Sequence, residues 1–149
     1  MGMMTANGAI CYLSQIFDRY MDDWVQTAHK YNCEKNGWKH MLLLPGTFGY
    51  DNLVISLYHV ISNNNFDKNL IKEKTVEELS SLVHDGWSIN YIYWRDNKPF
   101  INNTQYKPPF KALGDDQRNL CAITKYEDLP EEEKEKDRII ARFILENVN

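Results

Sequence analysis

His29, Cys33 and His40 are the side chains best suited by type and spacing to grip a metal ion. A His-x3-Cys pair shares one face of a continuing helix, and zinc accepts imidazole nitrogen and thiolate sulfur. A fourth ligand is missing and Asn36-Gly37 interrupts the run, so no metal is expected. Cys121 has no evident activating partner, and the carboxylate pairs Asp22-Asp23 and Asp115-Asp116 read as ordinary solvated acids. The chain has no glycine-rich phosphate loop, no HExxH and no paired CxxC. A general base needs no motif, yet nothing marks one, so no catalytic residue and no cofactor is expected. What stands out is aromatic. Four Trp and nine Tyr lift the aromatic share to 13%, and each offers a flat apolar face with a polar edge. A core uses some of them, and a surplus can also line a binding surface.

The elements that must carry these rings fit in 149 residues, one domain's worth of core. Apolar residues at 43% and charged residues at 26% are globular proportions. A net charge of −4 argues against a sequence-independent nucleic-acid binder, which needs a basic surface to displace counterions. No apolar run approaches the ~20 residues of a membrane span, and the N-terminus lacks the pattern of a secretion signal. Three widely spaced cysteines do not form a disulfide framework, so a reducing, cytoplasmic setting is expected.

Periodicity predicts a helix over 8–31, with Ile10, Leu13, Ile16, Phe17, Tyr20, Trp24, Ala28 and Tyr31 inward and Asn36-Gly37 as its stop. A second helix over about 52–62 would be capped by Asp51. Asn63-Asn64-Asn65 is the best linker candidate. Thr75-Val76-Glu77-Glu78 is a capping box, opening a helix to about Ile89. Gly86 inside that helix suggests a close approach to its backbone. Short strands are expected near 40–45 and 91–95, and an irregular stretch over 92–125, where Pro99, Pro108, Pro109 and Gly114 break any long element. The final helix, about 129–147, has Asp128 as its cap, glutamates in the positive first turns, and Lys136, Arg138 and Arg142 later. Ile139, Ile140, Phe143 and Ile144 form its inner stripe.

The blocks LSSLVHDGW (79–87), YIYWRD (91–96) and TKYEDLPEEEKEKDR (124–138) together resemble the RyR domain, the repeat of ryanodine receptors that also occurs in small bacterial and phage proteins. The matching positions are His84, Trp87, Trp94, Tyr126, Leu129, Pro130, Glu133, Lys134 and Asp137. The sequence departs from the family at Tyr93-Trp94-Arg95-Asp96, where glycines usually flank the second Trp. The resemblance covers about 70–149. It implies a mainly α, RyR-like helical domain with long irregular loops, preceded by a helical segment over 1–69 that is a second lobe or a divergent repeat.

The resemblance also implies non-enzymatic binding of a nucleotide-derived small molecule such as an adenine nucleotide, ADP-ribose or a cyclic nucleotide, for sensing or sequestration in conflict between phage and host. Trp87 and Trp94 would be base platforms, with His84 and Tyr91 beside them and Arg95 or Arg138 facing phosphate. The competing reading makes both indoles core residues, the two arginines surface ion pairs, and Lys134 and Asp137 surface or inter-element pairs. The rival function is a protein-interaction or homo-oligomerisation module without a small ligand.

Overall fold

The computed structural model of the chain describes residues 20–97 and 116–148. It is mainly helical. Among the described residues six α-helices run in the order α1 (Met21–Asn36), α2 (Phe48–Ser62), α3 (Lys68–Lys72), α4 (Val76–Asn97), α5 (Asp116–Ile123) and α6 (Glu131–Asn147), with a 3-10 turn at Tyr126–Asp128.

α4 is the axis of the fold, packing against α2, α5, α6 and the 3-10 turn. Its start is the expected capping box. The Thr75 hydroxyl accepts from the Glu78 amide and the Glu78 carboxylate accepts from the Thr75 amide, each at 3.1 Å. The helix then continues past Ile89 to Asn97. The segment over 91–95 is therefore helix rather than strand. Its β-favouring Tyr-Ile-Tyr-Trp run is overridden because Tyr91 and Trp94 extend the buried stripe of Leu79, Val83 and Gly86 at helical spacing. α5 likewise occupies part of the stretch read as irregular. Residues 98–115 of that stretch, with Asp115 of the second acidic pair, lie outside the described residues, as do 8–19 of the first predicted helix.

Gly86 does what its position suggested. A Cβ built there would sit 2.8 Å from the Ser56 Cα and 3.3 Å from the Ile55 carbonyl oxygen and the Ser56 nitrogen. α2 and α4 thus touch backbone to backbone. Eight residues along α4, the Trp94 indole N–H donates to Asp51 of α2 at 3.2 Å. The two helices therefore run antiparallel.

Asp51 is consequently not the cap of α2. The helix begins earlier, at Phe48, with Thr47 capping by accepting from the Tyr50 amide. Asp128 does not cap α6 either. It closes the 3-10 turn, and Pro130 holds the N-cap without a side-chain bond. Gly37 ends α1 in the left-handed region at φ 69°. Tyr20, expected inward, is exposed just ahead of α1.

No strand occurs among the described residues. Near 40–45, Leu43 donates to the Gln26 side-chain oxygen at 3.0 Å and accepts from its amide nitrogen at 2.8 Å. One glutamine thus supplies the pairing a strand would have sought. The Asn63–Asn65 stretch is a tight turn: buried Asn64 donates to the Val60 carbonyl at 2.7 Å, and Asn65 takes φ 58°. The main core runs unbroken across it, from Met21, Trp24 and Val25 of α1 through Leu57 and Val60 to Leu79, Val83, Phe143 and Ile144. No helix among the described residues is long and apolar enough to cross a membrane.

Candidate functional site

α4 carries three flat rings in one column. Trp87 lies nearly parallel to His84, three residues before it, and to Tyr91, four residues after it; centroids are 5.9 and 5.0 Å apart and both interplanar angles are 17°. Positions i−3 and i+4 flank a helical residue on opposite sides along the axis. The two faces of the Trp87 indole are therefore occupied, and its edge is what it presents outward.

That edge opens into a cavity of about 430 Å³ between α4, α5, α6 and the residues around the start of α2. Apolar walls come from Phe48, Cys121 and Leu129, and Trp38 stands at the rim, 61% exposed. The polar lining comes from His84 on α4, Gln117 and Arg118 on α5, and Glu133, Lys136 and Asp137 on α6. Glu133 is tied down on two sides, by Gln117 at 3.0 Å and by Lys136 at 3.1 Å.

The floor holds a His–Asp pair. Nε2 of His84 lies 2.7 Å from the Thr124 carbonyl oxygen. A carbonyl only accepts, so that nitrogen carries a hydrogen. Nδ1 faces the Asp137 carboxyl at 3.6 Å. Asp137 is 9% exposed. Its carboxyl has no hydrogen bond among the described residues. Burial first, then neighbouring Glu133, pushes it up to about 8. Cys121 lines the same cavity, and both imidazole nitrogens of His84 are directed elsewhere, at Thr124 and Asp137.

The six residues singled out from sequence divide. His84 and Trp87 line the cavity. Tyr91, fully buried, backs Trp87 and points its hydroxyl at Asn119 at 3.3 Å. Trp94 is 1% exposed and packs edge-on against Phe48, so the two indoles do not face a common hollow. Arg95 joins α4 to α5 by donating to Asn119 at 3.0 Å and pairs with Asp96 at 2.8 Å.

Arg138 forms a knot with Glu77 and Glu131, at 2.8 Å to each, and with the Tyr126 hydroxyl, which itself donates to Glu77 at 2.6 Å. These bonds hold the Glu77 carboxyl down to about 2 and push the Arg138 guanidinium up. The cations on the cavity lining are instead Arg118 and Lys136, which the sequence did not single out. From the sequence Asp137 reads as a family-matching position and a surface or inter-element pair. The signal for it was its register: it precedes Ala141 and Ile144 by four and seven residues, on the buried face of α6.

On α1, His29 and Cys33 share a face, with Nε2 to Sγ at 3.6 Å, and the His40 ring lies 5.5 Å from that of His29. No three His, Cys, Asp or Glu side chains among the described residues are placed to hold a metal ion. No protein-family model, curated protein or solved structure matches this chain.

Proposed function

We propose that the chain binds a nucleotide-type small molecule in the cavity beside Trp87, without transforming it, and that it acts in the cytoplasm as a sensor or sink for that molecule. The observation that carries this reading is the half-enclosed hollow itself, with aromatic and apolar walls and a few convergent polar groups, the ordinary make-up of a small-molecule site. Trp38 and Phe48 are the rings available to a base, and Trp87 adds its edge. Arg118 and Lys136 are the cations on the lining that a phosphate would meet. The resemblance to RyR-like proteins points the same way and supplies the setting, conflict between phage and bacterial host.

Thermal-shift and calorimetric titration with ATP, ADP-ribose and cyclic nucleotides test it. Stabilisation by one of them that is lost in Trp38→Ala, an exposed position whose truncation leaves the core intact, supports the reading. Silence from every nucleotide at millimolar concentration removes it.

A second reading, an interaction or self-association module, is favoured by one observation. Trp38, Met41, Leu42 and Leu44 are all more than half exposed within seven residues, which is unusual outside contact surfaces. Light scattering across a hundredfold range of protein concentration separates the two: a concentration-dependent dimer with no nucleotide response selects the module.

A further inference from the structure

We infer that Asp137 is the specificity-determining group of the cavity, and that its outward oxygen selects ligands presenting an N–H edge, such as an amino group on a flat ring. The inference rests on the binding reading above and narrows its ligand class.

The reasoning starts from His84. The Thr124 carbonyl fixes the hydrogen on Nε2, so Nδ1 of the neutral ring is an acceptor. The nearest polar partner for Nδ1 is the Asp137 carboxyl at 3.6 Å. Two acceptors face each other there, and one proton between them relieves their repulsion. That proton can sit on the carboxyl or on the imidazole. In either form the second carboxyl oxygen keeps only lone pairs, and in the fully deprotonated form it accepts as well. The charge state of the pair changes, but the hydrogen-bonding sense of the oxygen turned to the cavity does not.

A carboxyl this buried normally has hydrogen-bond partners inside the protein. Asp137 has none among the described residues, while it lines the cavity. An acceptor held in a largely apolar hollow discriminates sharply, because a ligand without a donor leaves it desolvated and unpaired. The cations on the lining, Arg118 and Lys136, belong to α5 and to the preceding position of α6. They suit the anionic end of the same ligand, so the amino edge goes to the floor and the phosphate outward.

The test compares AMP with purine riboside 5′-monophosphate, in which hydrogen replaces the amino group and the base has no N–H. Calorimetry with the wild-type chain is expected to show AMP binding at least ~10-fold more tightly. Asp137→Asn should keep that preference, because its amide N–H can donate to Nδ1 of His84 while its oxygen stays outward. Asp137→Leu should bind both nucleotides alike. Equal affinities in the wild type, or a preference that persists in the leucine variant, overturn the inference and leave the binding reading standing. Binding of neither nucleotide overturns the inference, and the binding reading falls with it only if ATP, ADP-ribose and cyclic nucleotides are silent as well. The wild-type comparison stands whatever the variants do to folding.

Discussion

Replacing Gly86 by alanine gives a test in which the sign of the effect is the result. In an open helix the change stabilises by up to ~1 kcal/mol, because alanine loses less backbone entropy. Here the added Cβ would stand 2.8 Å from the Ser56 Cα and 3.3 Å from two further backbone atoms of α2. Non-bonded carbons rest at about 3.5–4.0 Å, so α2 and α4 must part locally by roughly 0.7 Å or more. The atoms in the way are backbone, and no rotamer change moves them aside. Overpacking of this kind costs about 1–3 kcal/mol. The upper end applies because parting the helices also loosens the Trp94–Asp51 bond eight residues along. After the propensity gain, the net loss is about 1–2 kcal/mol, or roughly 3–8 °C in Tm for a chain of this size. Urea denaturation followed by circular dichroism should show a lower midpoint with an unchanged slope. A higher midpoint would refute the close backbone contact and, with it, the placement of α4 against α2.

Three further outcomes follow from the same geometry. The folded chain holds the Asp137 proton up to about pH 8, whereas an unfolded chain releases it near pH 4. Stability should therefore fall as pH rises between about 5 and 8, and Asp137→Asn, which needs no proton to face His84, should flatten that slope in pH-dependent melts. Trp94→Phe removes the donor to Asp51 and opens a void in the interior, for a loss of about 2–4 kcal/mol by denaturant titration. Thr75→Ala breaks the reciprocal cap of α4 and should cost about 1 kcal/mol in the same assay.

Where the sequence was legible, the governing interactions were local. The Thr75–Glu78 box, the Gly37 stop and the glutamates in the first turn of α6 involve residues within one or two turns, and each is present, whereas no base reaches the last turn of α6. Gly86 was legible as an anomaly whose partner, α2, was not. The length of α4 was misread because Tyr-Ile-Tyr-Trp favours strands in isolation, and only packing against α2 and α5 decides otherwise. The cavity was half legible. His84 and Trp87 lie in the blocks that carry the family resemblance, but Trp38 and Phe48 come from the part of the chain that the resemblance does not cover. Stacking by Trp87 could not be judged from sequence, since the rings at i−3 and i+4 that cover its faces look equally like additional platforms.

Asp137 shows how a site can hide inside a well-explained element. The glutamates that open α6 are accounted for by the helix dipole and its bases by ion pairs to them, and one more aspartate disappears into that account. Its register sets it apart, because it shares the inward face with Ala141 and Ile144 while its neighbours Lys136 and Arg138 do not. A carboxyl there costs about 1–3 kcal/mol if no hydrogen bond compensates. An apolar side chain of similar size would serve the fold better. The imidazole of His84 at 3.6 Å offsets only part of that cost, since one oxygen is left over. Packing explains every other buried position on the inner face of α6, and it does not explain this one. The ligand inferred above, donating to the remaining oxygen, would.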